Sequence, residues 1–224
     1  LRYWVADEKK HGITLKQMIF LSKYLDIREV EDSEQNLLAN GFDAGIGQDP
    51  FKLIFYTGFQ EPATQISHIN TAKLARVEGS EVLYEVCVRI AADEARHTSF
   101  YQGVAEKLFE LDPDNAMTAY AYQMRKGISM PAQNMTSKHH EPLFDKFENI
   151  ARRLKIYTAQ DYAALAQRTN RRYRIETAPV TTDEAKRAQD FLSALPQKLL
   201  RLAPRLDERT EPFNPKHFPW IRSS

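Results

Sequence analysis

Apolar and polar residues follow one another along this chain mostly in steps of three and four, the spacing of one face of an α-helix. Runs of strict alternation, which are typical of half-buried strands, are rare. The pattern predicts helices near residues 1–24, 29–41, 49–76, 81–111, 113–127, 141–156, 158–173 and 181–206. The last of these segments fits one helix or two, and the tail from Asp207 is expected to be extended. We therefore expect an all-α protein, and the long third and fourth helices favour a bundle.

Several helix ends carry recognisable signals. Asp49 and Pro50 occupy the capping and first-turn positions of the third helix. Thr158 precedes the seventh helix, and Asp161 three residues later places negative charge at its N-terminus. The first segment, in contrast, is helical in pattern from Leu1 onward and has no capping signal ahead of it. We therefore expect further sequence upstream of Leu1.

Composition narrows the class of protein. A chain of 224 residues with 42% hydrophobic residues can bury one sizeable core, and no linker-like segment divides it. The net charge of +1 indicates neither nucleic acid nor a membrane surface as a partner, and no apolar run approaches the ~20 residues of a membrane span. The single cysteine, Cys87, excludes an internal disulfide framework and fits a reducing compartment. Residues 151–205 carry 12 Lys or Arg against five Asp or Glu, which fits solvated helix faces or docking of an acidic partner.

The apolar stripe of the fourth helix is interrupted by a carboxylate and an imidazole. Glu94 and His97 are three residues apart and therefore lie on the same helix face. The first helix carries the same pair, Glu8 and His11, at the centre of its own stripe. A single Glu-x-x-His pair is usually exposed or accidental, but these two use two of only six histidines. Since an uncompensated buried carboxylate costs several kcal/mol, and since imidazole with carboxylate suits iron or manganese, the two pairs predict a metal site.

The third helix adds another carboxylate, Glu61, at the centre of an apolar stripe. Ferritin-like di-metal proteins supplement two Glu-x-x-His helices with one Glu from each of two further helices, and Glu61 fits one of those places. Pro62 follows it, lacks a backbone N–H and presses on the carbonyl of Gly58, so we expect α-helical structure to bend or loosen there. No carboxylate downstream of Arg125 fits the remaining place. The sixth ligand is therefore expected upstream of Leu1.

The chain resembles a known enzyme family, the soluble acyl-[acyl-carrier-protein] desaturases of the stearoyl-ACP Δ9 type. The resemblance is carried by WVADEKKHG, YTGFQEPATQISHINTAKLA, IAADEARH, EKLFELDPDNAM, MRKGISMPA and FPWI, and it runs over essentially the whole chain. It implies a single ferritin-like domain over residues 1–224, a di-iron helical bundle with additional C-terminal helices. The sequence departs from the family in two ways: the helices with the family's first Glu ligand are absent, and Pro62 stands where members tend to have a basic or other non-proline residue.

The resemblance also implies a reaction. Enzymes of this family use two iron ions, O2 and electrons from ferredoxin to insert a cis double bond into a saturated acyl chain held on acyl carrier protein. They are usually homodimers, and such a protein is expected in a bacterial cytoplasm or a plant plastid stroma. The carrier protein is acidic, so the basic surplus over residues 151–205 fits a docking role. Lys10 and Arg96, beside the ligand motifs, are alternative docking residues or plain surface charges.

Roles for single residues follow from the same resemblance. It makes iron ligands of Glu8, His11, Glu61, Glu94 and His97. Thr64 matches a catalytic threonine on the oxygen-binding side of the cluster, where its hydroxyl donates a hydrogen bond or relays a proton. Asp93 matches a carboxylate that orients a histidine ligand, expected to be His11. Ser67 and Asp145 match residues that line the substrate channel or its entrance.

Two competing hypotheses remain open at this point. Another di-iron carboxylate protein, such as a ribonucleotide reductase small subunit or a ferritin-like oxidase, would share the ligand pattern, although the long matching segments disfavour it. The chain is alternatively an inactive helical interaction protein that keeps the fold and has lost the site. Five retained ligands argue against that interpretation, whereas the missing sixth leaves it open.

Overall fold

The computed structural model describes residues 2–209, 212, 214 and 218–222. Their helices are α1 (Arg2–Ser22), α2 (Ile27–Asn40), α3 (Pro50–Val77), α4 (Glu81–Leu111), α5 (Pro113–Lys126), α6 (Phe144–Arg153), α7 (Ala159–Arg172) and α8 (Asp183–Glu208), with 3-10 turns at Pro131–Asn134 and Ile175–Thr177. The described residues contain two isolated β-bridges and no strand, so the all-α prediction is confirmed.

The C-terminal boundary differs from the prediction. The segment over residues 181–206 forms one helix, α8, which continues two residues into the tail that was expected to be extended from Asp207. Much of the remaining tail, and Leu1 at the other end, lie outside the described residues. The predicted sixth helix is shorter than its pattern, because only Phe144–Arg153 is helical.

The capping signals act as the sequence indicates. The Asp49 carboxylate accepts hydrogen bonds from the backbone N–H groups of Phe51 and Lys52 at the start of α3. At α7, the Thr158 hydroxyl accepts from the Asp161 N–H at 3.1 Å, and the Asp161 carboxylate accepts from the Thr158 N–H at 2.9 Å. Such reciprocal caps satisfy donors that a helix start leaves unpaired.

The helices α3 and α4 are the centre of the bundle, and they pack together more extensively than any other pair. A connection of three residues joins them, so they run antiparallel. α5 and α7 pack against this pair, and α8 packs against α5 and α7. An aromatic cluster lies among these helices: the Phe55 ring centroid lies 5.5 Å from Phe109, 5.4 Å from Tyr120 and 5.9 Å from Tyr173. This core fixes the register of α3 against α4, on which the site below depends.

The first helix, α1, packs chiefly against α4 and is held much less firmly. The prediction of a core-facing stripe on α1 is only partly correct. His11 is its one buried residue, whereas Trp4 and Glu8 are half-buried. Large apolar side chains on the other faces are open to solvent, such as Tyr3 at 87% and Leu21 at 76% exposure. The part of α1 that enters the bundle is therefore the part that carries its Glu-x-x-His pair.

Three prolines lie inside helices, Pro62 in α3 and Pro196 and Pro204 in α8. Both helices continue through them without interruption. The loosening expected at Pro62 therefore does not appear as a break in α3.

Candidate metal centre

Three helices bring the predicted ligands together. One donor atom from each of Glu8, Glu61, Glu94 and His97 lies within 4.8 Å of all the others. Glu61 and Glu94 are only 2% and 3% exposed, so both carboxylates are removed from water. On the other side of Glu94, His11 Nδ1 lies 3.4 Å from Glu94 Oε1 and 3.8 Å from Glu8 Oε2. All five predicted ligands therefore converge between α1, α3 and α4.

The orientation of His11 follows from its neighbour on α4. His11 Nε2 lies 3.0 Å from Asp93 Oδ2, and because a carboxylate only accepts, the hydrogen sits on Nε2. In the neutral imidazole, the opposite nitrogen, Nδ1, then carries the lone pair, and it points at Glu8 and Glu94. This nitrogen is buried and has no hydrogen-bond partner among the described residues. A lone pair facing carboxylates is unfavourable unless a proton or a metal cation lies between them.

His97 differs from His11, because its hydrogen bond lies on the cluster side, to Glu61, and its outer nitrogen Nε2 has no hydrogen-bond partner among the described residues. Its Nδ1 lies 3.2 Å from both Glu8 Oε1 and Glu61 Oε2, and its Nε2 faces Asp7 Oδ2 at 3.5 Å. Asp7 was not among the predicted site residues. The signal for it was present, because the segments Ala-Asp-Glu-Lys-Lys-His and Ala-Asp-Glu-Ala-Arg-His both place an aspartate directly before the predicted ligand glutamate.

Both aspartates also pair with a base on their own helix. Lys10 Nζ lies 2.8 Å from Asp7 Oδ1, and this hydrogen bond is the main reason why the pKa of Asp7 is lowered. Asp93 pairs with Arg96. Burial acts to raise the pKa of Asp93, but hydrogen bonds from His11 and Arg96 outweigh it and lower the pKa overall. Both aspartates are therefore ionised; Asp93 accepts the hydrogen bond of His11 Nε2, whereas Asp7 faces His97 Nε2 at 3.5 Å without forming a hydrogen bond.

The three glutamates behave in the opposite way. Burial, followed by the proximity of Glu61, raises the pKa of Glu94 to about 7. Burial is also the main reason why the pKa of Glu61 is raised, and Glu8 adds to it. The pKa of Glu8 is raised by burial and by Glu94. Three carboxylates confined together need either protons or a cation to balance their charge.

The donor set fits a transition metal. Glu8 Oε1 and His11 Nδ1 are buried and lack hydrogen-bond partners in the described part of the chain, and both face the cluster. Two imidazole nitrogens with several carboxylate oxygens are ligands that suit iron and manganese. Asp93 behind His11 adds the arrangement typical of protein metal sites, in which the outer ring nitrogen donates to a carboxylate.

Two further side chains contact the buried glutamates. Trp4 Nε1 donates to Glu61 Oε1 at 3.0 Å, and its ring meets Tyr101 edge to face with centroids 5.8 Å apart. No role at the site was predicted for Trp4 from the sequence, because the helical spacing of an apolar side chain does not reveal a donor to Glu61. The Thr64 hydroxyl oxygen lies 3.0 Å from Glu94 Oε2 and 2.8 Å from the Glu61 carbonyl oxygen. With a single hydrogen, it donates to one of them at a time.

Comparison with known proteins agrees with this geometry. A family model described as fatty acid desaturase matches residues 1–222. The chain belongs to the fatty acid desaturase family. The match decides between the desaturases and the other di-iron carboxylate families that share the ligand pattern.

Relatives in the desaturase family are similar over nearly the whole chain. Stearoyl-[acyl-carrier-protein] 9-desaturase 6 of Arabidopsis thaliana is 43% identical over 223 residues, which are 98% of this chain and 57% of that protein. Desaturase 4 of the same plant is 44% identical over 94% of this chain and 53% of its own length. The stearoyl-[acyl-carrier-protein] 9-desaturase of Olea europaea is 40% identical over 98% of this chain and 56% of its own length. The chain therefore spans just over half the length of these curated relatives.

Two predicted residues of this desaturase-family chain lie apart from the cluster's hydrogen bonds. Ser67 is half-buried in α3, and its hydroxyl donates to the Ala63 carbonyl oxygen at 2.9 Å. Asp145 is exposed in the first turn of α6. Their assignment to a substrate channel stays a prediction. None of the helices in the described part of the chain combines the length and apolarity of a membrane span.

Proposed function

We propose that this chain forms the iron-binding bundle of an acyl-[acyl-carrier-protein] desaturase. The enzyme takes electrons from ferredoxin, consumes O2 and inserts a cis double bond into a saturated acyl chain on carrier protein. The observation that carries the proposal is the convergence of Glu8, Glu61, Glu94 and His97 within 4.8 Å in a chain of the fatty acid desaturase family. The carrier-protein substrate is supported by the names of relatives such as stearoyl-[acyl-carrier-protein] 9-desaturase 6.

In this proposal the ligands hold two iron ions. His11 and His97 would each hold one ion through Nδ1, because these nitrogens face the carboxylates. Glu8 and Glu94 would be further ligands, since each reaches towards both imidazoles at distances of 3.2–3.8 Å. Glu61 adds a carboxylate beside His97. When bound, reduced iron supplies the activation of O2 that removal of hydrogen from an unactivated methylene requires.

Protein side chains then hold and move protons around the ions. Asp93 keeps the hydrogen of His11 on Nε2, so that Nδ1 remains a ligand. The Thr64 hydroxyl lies between the Glu61 carbonyl and Glu94 Oε2, and a hydroxyl there can pass a proton to a carboxylate that has a pKa near neutrality. We therefore assign Thr64 as the catalytic proton donor or relay of the site.

Substrate binding and assembly complete the proposal. A channel lined at Ser67 and entered near Asp145 holds the acyl chain so that one C–C bond lies at the metals, which is a positioning effect. Most of the basic residues over 151–205 are exposed on α6, α7 and α8 and in the loops between them, which supports docking of the acidic carrier protein there. The enzyme is proposed to act as a homodimer, with residues 1–224 in a single domain.

Two measurements on the full-length protein test the proposal. The first is metal analysis after anaerobic loading with Fe²⁺, where we expect bound iron, and iron at trace levels would contradict a di-iron site. Glu94→Ala is expected to lose iron, whereas Glu85→Ala, which removes an exposed carboxylate from the same helix, is expected to keep it. The second supplies stearoyl-ACP and palmitoyl-ACP with reduced ferredoxin and O2. An iron-loaded protein that makes no unsaturated product from either substrate would contradict the proposed desaturase reaction.

A further inference from the structure

Pro62 removes the backbone hydrogen bond that the Gly58 carbonyl, one helical turn before Glu61 and Pro62, would otherwise accept. Because proline has no N–H, the carbonyl oxygen of Gly58, four residues earlier, lacks the backbone donor that it would ordinarily have in α3. Gly58 is buried, so water does not replace that bond. The side chain of Gln102, on the neighbouring helix α4, does: its Nε2 donates to the Gly58 oxygen at 3.1 Å. An amide from another helix therefore substitutes for the missing backbone donor.

The amide of Gln102 is itself held in place. Arg172 Nη1 donates to Gln102 Oε1 at 2.9 Å, which turns the –NH2 end of the amide towards Gly58. The guanidinium of Arg172 in turn grips Glu106, with Nε 3.0 Å from Oε1 and Nη2 3.3 Å from Oε2. Such a forked contact restricts the guanidinium orientation. A continuous series of hydrogen bonds thus runs from the exposed Arg172–Glu106 pair through Gln102 to the backbone of α3.

The same arrangement occurs at a second proline, in α8. Pro196 leaves the Leu192 carbonyl without its intrahelical donor, and Asn170 Nδ2 on α7 donates to that oxygen at 2.5 Å. The Asn170 amide is also oriented through its oxygen, which accepts from the Tyr120 hydroxyl at 3.0 Å. Substitution of a side-chain amide for a lost backbone donor is therefore a recurrent device of this fold. Of these two places, only Pro62 adjoins a carboxylate of the metal centre.

We propose that Gln102 is a positioning residue for Glu61. The turn from Gly58 to Pro62 carries Glu61 into the cluster, and Gln102 holds that turn helical where the backbone alone does not. Metal ligands must be placed to within about 0.5 Å, so a small opening of this turn would withdraw the Glu61 carboxylate. The inference rests on the proposed metal site, and it adds a residue of α4 that acts on that site only through the backbone of α3.

A double-mutant cycle tests the inference. Gln102→Met keeps the length of the side chain and removes the donor, whereas Pro62→Ala returns a backbone N–H to position 62. We measure Co²⁺ affinity and the visible absorption of bound Co²⁺ in the full-length protein, together with the thermal midpoint. Gln102→Met alone is expected to weaken Co²⁺ binding about tenfold, alter the Co²⁺ spectrum and lower the midpoint by about 2–6 °C. In the Pro62→Ala background, the same change is expected to have little effect.

Asn170→Leu is the matched control. It removes the equivalent amide at Pro196, away from the cluster, and is expected to lower the thermal midpoint while Co²⁺ affinity and spectrum stay unchanged. Gln102→Glu is a second variant, since it keeps an oxygen for Arg172 but cannot donate to the Gly58 carbonyl. It is expected to reproduce the effect of Gln102→Met on Co²⁺ binding.

Three outcomes would overturn the inference or its basis. Equal losses from Gln102→Met with and without Pro62 would mean that Gln102 acts by packing and not as a substitute donor. Unchanged Co²⁺ affinity and spectrum in Gln102→Met, with only the midpoint lowered, would refute the positioning role. A wild-type protein that binds no Co²⁺ would instead refute the proposed metal site, and the midpoint cycle would then decide the hydrogen-bond substitution separately.

Discussion

His11 Nε2 lies 3.0 Å from Asp93 Oδ2, so a residue of α4 sets the tautomer of a proposed ligand on α1. The converse contact is looser, because Asp7 Oδ2 on α1 lies 3.5 Å from His97 Nε2 on α4. Each helix therefore supplies a histidine to the site and an aspartate to the histidine of the other helix. This reciprocity explains why both Glu-x-x-His pairs follow an aspartate.

The difference between the two contacts predicts unequal mutant effects. Asp93→Asn removes the charge that holds the His11 hydrogen on Nε2, and we expect the affinity for Fe²⁺ to fall about 10-fold to 100-fold. Asp7→Asn, at a longer distance from His97, is expected to have a smaller effect. Anaerobic Fe²⁺ titration of the two variants checks the order. Equal losses would show that the shorter contact has no special role.

Trp4 offers a direct optical probe of the site. Its Nε1 is 3.0 Å from Glu61 Oε1. The other tryptophan, Trp220, lies in the C-terminal segment and donates a hydrogen bond to Ser33 Oγ on α2. A paramagnetic ion such as Co²⁺ at the cluster is therefore expected to quench the fluorescence of Trp4. We expect Trp220→Phe to retain the metal-dependent quenching and Trp4→Phe to lose it. Quenching that survives in Trp4→Phe would place the ion elsewhere.

The buried glutamates predict how the stability of the metal-free protein depends on pH. The pKa of Glu94 is raised from 4.5 to about 7 in the folded chain, so folding favours its protonated form. This contribution to the free energy of unfolding is fully present below about pH 4.5 and is lost as the pH rises through about 7. In urea unfolding with a chelator present, we therefore expect the contribution of Glu94 to the free energy of unfolding to decrease between about pH 4.5 and about pH 7.

Two controls accompany the pH experiment. Glu94→Gln cannot ionise and is expected to remove the corresponding part of the slope. Saturating Co²⁺ is expected to reverse the trend, because the ion replaces the proton on the carboxylates and binds more tightly as the pH rises. The opposite result would contradict the raised pKa. In that case the free energy of unfolding of the metal-free protein would rise from pH 5 to pH 7, and Glu94→Gln would abolish this rise.

The Thr64 hydroxyl is expected to act in turnover and not in stability. Thr64→Val keeps the shape of the side chain and removes the contact with Glu94 Oε2, whereas Thr64→Ser keeps the hydroxyl. If the hydroxyl relays a proton, we expect Thr64→Val to lower kcat about 100-fold with iron content unchanged, and Thr64→Ser to retain most of the activity. Equal kcat values for wild type and Thr64→Val would exclude the proposed proton role.

Local signals in the sequence predicted most of the secondary structure. Asp49 with Pro50, and Thr158 with Asp161, mark the starts of α3 and α7 correctly, because caps depend on residues within one helical turn. Two boundaries were predicted less accurately. The helical periodicity near α6 extends beyond the residues that are helical in the structure. At the end of α8 the periodicity stops at residue 206, whereas the helix continues to Glu208. Whether residues 181–206 form one helix or two was undecided, and packing of α8 against α5 and α7 decided it.

The sequence by itself determined the helices, their apolar faces and the types of donor on those faces, because each depends on residues three or four positions apart. It did not determine which groups meet across helices. Only the tertiary structure decided that Trp4 donates to Glu61, that Asp7 faces His97 and that Gln102 reaches the carbonyl freed by Pro62. These contacts join residues 44 to 90 positions apart. They depend on the register in which the helices pack, which the aromatic core sets and local periodicity does not encode.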